Sequence, residues 1–426
     1  MQKQVLVTGM GLFSSLSCGD ASEHFNQLLR GESGCSRAQA PVNPDFPYQL
    51  QAPVKGFQVR DWIRSRMLRK VLPRSAAMCV AAAGQALRDA NLEGDFQRLE
   101  TCGLYVGSVQ LDIEMESFLP AVHESMDAEG QFDMSRFARR GMHLVDPLFL
   151  VKALPNAGLG GIAVEYQATG PNLNITNGPV SGLQAVAAAA AAIQRGEIQV
   201  AVAGGYDSLL QMENIMAHLL AGRLSASDVP PQQACRPFDE NRQGYVPGEG
   251  AAFVVLESAA HARQRSARVY GEVLGYAHTT AAESRTTDDG AVLGLEQAAR
   301  ASLDQGQCSA IEVDALFGCG LGVEEDDLYE AAVLRRLSTS HPIAFTSATG
   351  SLGYTEAASG GFALINALLA MQKNVIPPMI NCDQPDDRCS GNFIRRAEVK
   401  PLRRTLAWST DRGIKNVCVL LGQNTL

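Results

Sequence analysis

The sequence predicts an α/β protein built as two successive halves. Short apolar runs typical of buried strands alternate with longer segments that repeat apolar residues at helical spacing. An apolar fraction of 46% over 426 residues is ample for a large core. A second, shorter series of the same elements follows residues 259–267, so we expect an N-terminal half, 1–260, and a C-terminal half, 261–426.

In the first half, strands are predicted where short apolar stretches are bounded by glycine or polar residues, at 5–8, 103–106, 173–176, 200–203 and 252–256. Helical periodicity predicts helices at 22–30, 73–90, 182–194 and 258–264. Residues 112–150 form a more irregular, charged insert. It is long enough to act as a cap or a partner-binding element rather than a plain connection.

The second half repeats the alternation in fewer residues. Strands are predicted at 270–275, 313–317 and 417–421, and helices at 293–303, 327–337 and 356–371.

Composition excludes several functional classes. The chain has 36 Lys and Arg residues and 45 Asp and Glu residues, with no long run of either sign. This balance argues against nucleic acid or an anionic membrane as the main partner. Ten cysteines without CxxC spacing argue against a zinc site or a disulfide framework and fit a reducing cytoplasm. No segment reads as a leader or a transmembrane span, so we expect a cytoplasmic protein without metal or cofactor.

Residues 174–208, ‹NITNGPVSGLQAVAAAAAAIQRGEIQVAVAGGYDS›, have the layout of a strand, a turn and a core helix. In enzymes built this way, the free amides at the start of the helix stabilise a thiolate or an oxyanion, so the residue there normally does covalent chemistry. Here that residue is Pro179, which has neither a nucleophilic side chain nor an amide hydrogen.

Four further stretches identify a family. They are ‹VTGMG› at 7–11, ‹LLRGESG› at 28–34, ‹CRPFDENRQGYVPGEGAAFVVLE› at 235–257 and ‹VIPPMINCDQPD› at 375–386. Over its full length the chain resembles the β-ketoacyl-acyl carrier protein synthases. The resemblance implies the thiolase fold, with two similar βαβαβαβ-type halves in five α-β-α-β-α layers. It also implies a dimer with the acyl pocket near the two-fold axis.

The chemistry of that family uses a cysteine that accepts the acyl chain, two histidines that assist decarboxylation and stabilise the enolate, and a nearby lysine. The nucleophile motif ‹TACxSG› falls on 177–182 and places Pro179 at the cysteine. The first histidine motif, ‹NAHGTxTxxxDxxE›, keeps its acidic end at Asp327 and Glu330 but has Cys319 at the histidine.

The second histidine motif, ‹KxxxGHxxGAAG›, falls on 349–360, where the lysine is replaced by Thr349 and the histidine by Tyr354. The gating loop ‹GFGGTN› reads Asp411-Arg412-Gly413-Ile414-Lys415-Asn416. Since nucleophile, histidines, lysine and gate are all altered, we expect no condensing activity from this chain alone.

Several residues remain open to two interpretations. Cys319 is either a displaced nucleophile or a small buried apolar residue, and Tyr354 either donates a hydrogen bond to a thioester carbonyl or fills the emptied site. For Leu111, Ile113 and Met115 the alternatives are ordinary core packing and, by resemblance, a dimer interface beside the acyl pocket.

The leading hypothesis is a catalytically inactive subunit similar to the chain-length factors of type II polyketide and aryl polyene-like pathways. It would pair with an active ketosynthase, stabilise it and shape the acyl tunnel. Chain-length factors commonly carry glutamine at the nucleophile position, so Pro179 departs from their pattern.

Two alternatives stand beside it. One is a malonyl-carrier protein decarboxylase or acyltransferase that uses Cys319 or Tyr354. The other is a homodimeric module that docks an acidic acyl carrier protein through exposed basic residues, namely Arg64, Arg66, Arg69 and Lys70.

Overall fold

A computed structural model of the chain describes residues 3–38, 48–95, 99–109, 115–226, 228–281, 293–339 and 341–423. The strands are β1 (Val5–Phe13), β2 (Ser36–Arg37), β3 (Leu50–Gln51), β4 (Gly103–Gly107), β5 (Asn172–Ile175), β6 (Val200–Ser208), β7 (Glu249–Ser258), β8 (Gly271–Thr280), β9 (Ala315–Phe317), β10 (Ala344–Thr346), β11 (Val375–Ile376), β12 (Asn392–Phe393), β13 (Glu398–Val399), β14 (Arg404–Asp411) and β15 (Lys415–Gly422).

The helices are α1 (Ala21–Leu29), α2 (Val59–Trp62), α3 (Leu68–Val71), α4 (Arg74–Asp89), α5 (Met115–Glu124), α6 (Met134–Arg139), α7 (Phe149–Ala153), α8 (Ala157–Tyr166), α9 (Ser181–Arg195), α10 (Met212–Leu220), α11 (Ala259–Gln264), α12 (Leu293–Gln305), α13 (Glu324–Leu337), α14 (Thr349–Leu352) and α15 (Ala357–Lys373). Short 3₁₀ turns lie at Gly141–Leu144, Pro231–Gln233 and Ala310–Glu312.

Two runs of strands with the same pairing pattern join into one large sheet. In the described part of the chain the order is β12-β10-β9-β14-β15-β8-β1-β7-β6-β4-β5. From β5 to β1, two parallel pairings are followed by two antiparallel ones, and from β10 to β8 the same succession occurs. The runs meet where β1 pairs with β8. From this repeat we propose the division of the chain near residue 260.

Helices α9 and α15 lie in the middle of the molecule, packed against each other and against strands of both runs. Helices α4 and α8 cover the outer face of the first run, and α12 and α13 cover that of the second. The two runs of strands are therefore the two β layers, and the arrangement is the five α-β-α-β-α layers that the resemblance implies. Apolar faces on both sides explain why the central strands read as continuous apolar runs.

The central helices form because their sequences leave them apolar on nearly all sides. In α9, ten of fifteen residues are buried. The helix ends at Gly196, whose φ of 77° suits the left-handed C-terminal cap. The turn before α9 and the residues before α15 both face the same point between the layers, which places the candidate site there.

The predicted α/β alternation is confirmed, and most predicted elements are found within a few residues of their bounds. Leu111 and Ile113 lie outside the described residues, and Met115 is the first residue of α5. Within the described ranges, no helix combines the length and apolar character needed to cross a membrane.

Candidate functional site

Four positions singled out in the sequence come together at one small cavity, called here the central cavity. Pro179 reaches it from the turn before α9, Cys319 from the loop after β9, and Thr349 and Tyr354 from the segment after β10. The spacing along the chain does not predict this meeting, because it depends on how the two halves pack.

The central cavity is small and uncharged. Its volume, measured for the centre of a water-sized sphere, is about 30 Å³, enough for a few water molecules. Its described lining contains no lysine, arginine, histidine or carboxylate. It therefore offers neither a base nor a fixed positive charge to a reacting group.

The turn that carries Pro179 is fixed by its own hydrogen bonds. Gly178 has φ 73°, a conformation that favours glycine. The hydroxyl of Ser181 donates to the Gly178 carbonyl at 2.6 Å and accepts from the Asn177 amide at 2.8 Å. The Ser409 hydroxyl donates to the Pro179 carbonyl at 3.2 Å. Ser181 thus serves the turn and is not free to act as a nucleophile.

Two buried carboxyl groups on α13 hold the loop that carries Cys319. Glu330 accepts hydrogen bonds from the backbone amides of Cys319, at 2.7 Å, and Gly320, at 2.8 Å, and from the indole of Trp408. Asp327 accepts from Leu321 at 2.9 Å and Gly322 at 3.2 Å. The acidic end of the motif is therefore accounted for by loop structure, independently of catalysis.

Burial sets the protonation of these groups. It raises the pKa of Asp327 to about 8 and that of Glu330 to about 6, because the charged form loses its hydration. The Cys319 thiol is affected similarly. Burial, and next the negative potential of Glu330, raise its pKa well above the ordinary value. Cys319 is thus a poor source of thiolate.

Thr349, at the lysine position, completes the support of the same loop. Its hydroxyl and that of Ser347 both donate to the Cys319 carbonyl, and the two hydroxyls also contact each other at 3.2 Å. The family motif has a lysine ammonium at this position, whereas this chain has a threonine hydroxyl that donates to a backbone carbonyl.

Tyr354 occupies the second histidine position as a packed ring. Its ring centroid lies 4.5 Å from that of Tyr245, and only 6% of the residue is exposed. Burial raises the pKa of its hydroxyl well above the usual range, and Glu356 raises it further. At neutral pH Tyr354 is therefore a hydrogen-bond donor and not a base.

The altered gating loop lies beside the Pro179 turn. Asp411 ends β14, and Arg412 and Gly413, with φ of 51° and 75°, form the tight turn into β15. The Asp411 carboxylate is 3.7 Å from the Lys415 ammonium and lies directly against Gly178. The loop therefore presents charged groups where the family motif presents phenylalanine.

A cluster of buried ionisable residues next to Tyr354 was missed by the sequence reasoning. His218 Nδ1 lies 2.5 Å from the Tyr245 hydroxyl, and His218 Nε2 lies 3.7 Å from Glu356 Oε1. Arg223 pairs with Asp326 at 2.5 Å. Burial lowers the pKa of His218 to about 4 and raises that of Glu356 to about 8, so both are neutral near pH 7. Tyr245 and Glu356 lie in quoted motifs, but nothing in the sequence joins them to His218.

Comparison with known proteins identifies the family. The family model described as "Beta-ketoacyl synthase, N-terminal domain" matches residues 2–262, and "Beta-ketoacyl synthase, C-terminal domain" matches residues 270–383. The chain therefore belongs to the β-ketoacyl synthase family, and the thiolase fold expected from the sequence is confirmed.

Individual relatives cover nearly the whole chain. The 3-oxoacyl-[acyl-carrier-protein] synthase 2 of Coxiella burnetii is 27% identical over 395 residues, 92% of either chain. The structure described as the ishigamide ketosynthase/chain length factor is 25% identical with a TM-score of 0.87 and covers 100% of both chains. A complex of a type II polyketide acyl-carrier protein with its ketosynthase, AntDE:AntF, contains a chain 21% identical, with a TM-score of 0.86 and full coverage of both. At that identity the last likeness concerns the fold alone.

Proposed function

We propose that this chain is a catalytically inactive ketosynthase-like subunit that pairs with an active ketosynthase, stabilises it and helps to shape the tunnel for the growing acyl chain. One observation carries the proposal. The positions expected to hold nucleophile, histidines and lysine meet in one cavity, and there they are Pro179, Cys319, Tyr354 and Thr349. The remaining functions require only packing, namely to form the interface with the ketosynthase and to line part of the acyl tunnel.

Condensation needs a thiolate, a base and donors for an enolate. Pro179 removes the first, and Cys319 does not replace it because its thiol pKa is raised and no base lines the cavity. The hydroxyls of Ser347 and Thr349 are already bound to the Cys319 carbonyl, and the donors that remain in the lining, such as the Tyr354 hydroxyl, are uncharged. This disfavours the decarboxylase and acyltransferase alternatives.

The surface supports an association with another protein. Nine of the sixteen large apolar side chains exposed in the described part of the chain lie in 115–154. They are Leu119, Met126, Phe132, Met134, Met142, Leu144, Leu148, Val151 and Leu154. Such a concentration of exposed apolar surface is typical of interaction sites. It favours a partner-binding role for the 112–150 insert.

Strand β5 supports a second contact region. It lies at the end of the sheet, where its outer edge pairs with no described strand. Leu173 on this strand is exposed, and the side-chain oxygen of Asn174 is buried without a hydrogen-bond partner among the described residues. An open edge with an unsatisfied acceptor suits pairing with another chain. We therefore assign β5 to the proposed heterodimer interface, to which the family resemblance also assigns Leu111, Ile113 and Met115.

The acyl carrier protein is the second proposed partner. Arg64, Arg66 and Lys70 are exposed around α3 with the exposed side chain of Met67 among them, whereas Arg69, expected to be exposed, is half-buried. Arg64 also pairs with Glu93 at 2.7 Å. A basic surface with an apolar centre suits an acidic carrier protein, whose approach it would steer.

The test is co-expression with the ketosynthase encoded nearest to this chain, followed by size-exclusion chromatography with light scattering. We expect a 1:1 heterodimer and a ketosynthase that is less soluble when expressed alone. A stable homodimer that ignores the ketosynthase would contradict the proposal. In parallel, the purified chain with malonyl-carrier protein should release no CO₂ and form no adduct on Cys319. Either product would revive the enzymatic alternative.

A further inference from the structure

The central cavity has a neighbour at the surface, called here the surface cleft. The cleft has a volume of about 520 Å³ for a water-sized sphere, and its walls include Gly222, Arg223, Val323 and Arg412. Leu321 lines the central cavity, and Val323, only two residues later, lines the cleft. The two hollows are thus separated by a thin layer of protein.

A row of three side chains leads from one hollow to the other. Arg223 lines the cleft, and its guanidinium carbon lies 5.9 Å from the centre of the Tyr245 ring. Tyr245 is fully buried and packs against Tyr354, which lines the central cavity. The two aromatic rings therefore fill the space between the cleft and the cavity.

Backbone hydrogen bonds hold this row in place. The Tyr245 amide donates to the Arg223 carbonyl at 3.1 Å, and the Tyr354 amide donates to the Val246 carbonyl at 2.8 Å. Side chains add to this, since Arg223 is paired with Asp326 and the Tyr245 hydroxyl is bonded to His218. Rings fixed on both sides are unlike a mobile gate, which needs an alternative position to move to.

We propose that Tyr245 and Tyr354 form a closed wall between the surface cleft and the central cavity, so that the thioester arm of a carrier protein does not reach the cavity of this subunit. Both residues of the wall belong to this chain, so the partner is not needed to form it. The inference goes beyond the proposed pairing and can be tested without a partner, so failure of one does not imply failure of the other.

The experiment places a reporter thiol in the cavity with Pro179→Cys. Its position just before α9 favours the thiolate, and the urea-unfolded proteins give the labelling rate at full access. The probe is chloroacetyl-pantetheine, which has the shape of the arm. The thiolate displaces chloride and forms a thioether, and the thiol proton passes to the buffer. Mass spectrometry of the peptide that contains position 179 measures the rate separately from the ten native cysteines.

Three backgrounds are compared with the intact wall. Tyr354→Phe keeps the ring and is the matched control, whereas Tyr354→Ala and Tyr354→Val remove it, and circular dichroism confirms folding of each. We expect slow labelling when Tyr354 is intact or replaced by Phe. A folded Tyr354→Ala or Tyr354→Val protein, called here an opening variant, should be labelled at least tenfold faster. Rapid labelling behind the intact wall would overturn the proposal. So would protection that persists in the folded opening variants while the urea-unfolded proteins label completely.

Discussion

At the scale of single residues, Glu356 shows how burial decides charge at this site. It is only 7% exposed, and burial, followed by the negative potentials of Asp207 and Asp411, raises its pKa to about 8. Its backbone, with φ 47° and ψ −120°, lies in a region that non-glycine residues rarely adopt. A strained, neutral glutamate beside His218 indicates that the surrounding packing is strong enough to hold it.

The pH dependence of stability follows from this pKa. In the unfolded chain the carboxyl ionises above about pH 4.5, whereas in the fold it keeps its proton up to about pH 8. Its contribution to the free energy of unfolding is therefore full below pH 4.5 and is lost as pH rises to 8. We expect Glu356→Gln, which has no proton to lose, to match the wild type near pH 5. At pH 8 it should be more stable by a few kcal/mol at most, since one pKa unit corresponds to about 1.4 kcal/mol.

Urea unfolding at pH 5 and pH 8 measures the difference. Glu129→Gln, at an exposed position in the insert, is the matched control and should change neither value. Equal effects of Glu356→Gln at both pH values would show that Glu356 is ionised in the fold.

At the scale of elements, the central helices approach each other through glycine. A Cβ atom on Gly182 would lie 2.1 Å from the Ala357 carbonyl oxygen, so α9 and the start of α15 touch through backbone. This contact positions the Pro179 turn against the segment that carries Tyr354. The geometry of the site therefore depends on a residue without a side chain.

Two glycine variants test this contact. Gly182→Ala forces the helices apart and should lower the free energy of unfolding by about 1–3 kcal/mol or more. Gly160→Ala is the matched control, because Gly160 lies within α8 with nothing within 4 Å of its added Cβ. It should be neutral or stabilise by up to about 1 kcal/mol, since alanine is the better helix former. Urea unfolding at pH 7 would compare the two, and equal effects would rule out the close approach.

The sequence predicted most elements that have a clear apolar run or period and missed some whose polar residues are buried by tertiary contacts. Strand β14 is the clearest case. It contains three buried polar residues, Thr405, Ser409 and Thr410. Because of their polarity, this strand in the interior of the sheet was not predicted. Strands β6 and β7 were predicted but extend further than expected, because glycine and polar residues at their ends also pair. Tertiary packing overrides local preference at such places.

The site divides in the same way. Alignment with the family motifs identified four altered positions, those of the nucleophile, the first histidine, the lysine and the second histidine. They are Pro179, Cys319, Thr349 and Tyr354, and the structure brings all four to one cavity. The contact of Arg223 with Asp326 joins residues 103 positions apart, and no periodicity or spacing predicts such a pair. The support of the Cys319 loop by Trp408 has the same origin, since it crosses from β14 to α13.

For the whole molecule, the two runs of strands repeat one pattern but end differently. The run of the second half ends at β10, which β12 covers, whereas the run of the first half ends at β5 with its outer edge unpaired among the described strands. The exposed apolar residues of the insert lie in the same half. This asymmetry supports the proposal that partner binding belongs to the first half.

The proposed interface leads to a prediction at this scale. Leu173→Asp places a charge on the exposed face of β5, where it would be desolvated in a heterodimer but remain hydrated in the free chain. We expect the dissociation constant from the ketosynthase to rise at least tenfold, about 1.4 kcal/mol, with little change in thermal stability of the free chain. Val399→Asp is the matched control, because Val399 is 82% exposed on β13, outside the large sheet. Analytical ultracentrifugation of the pairs would measure both constants, and equal weakening by the two variants would place the interface elsewhere.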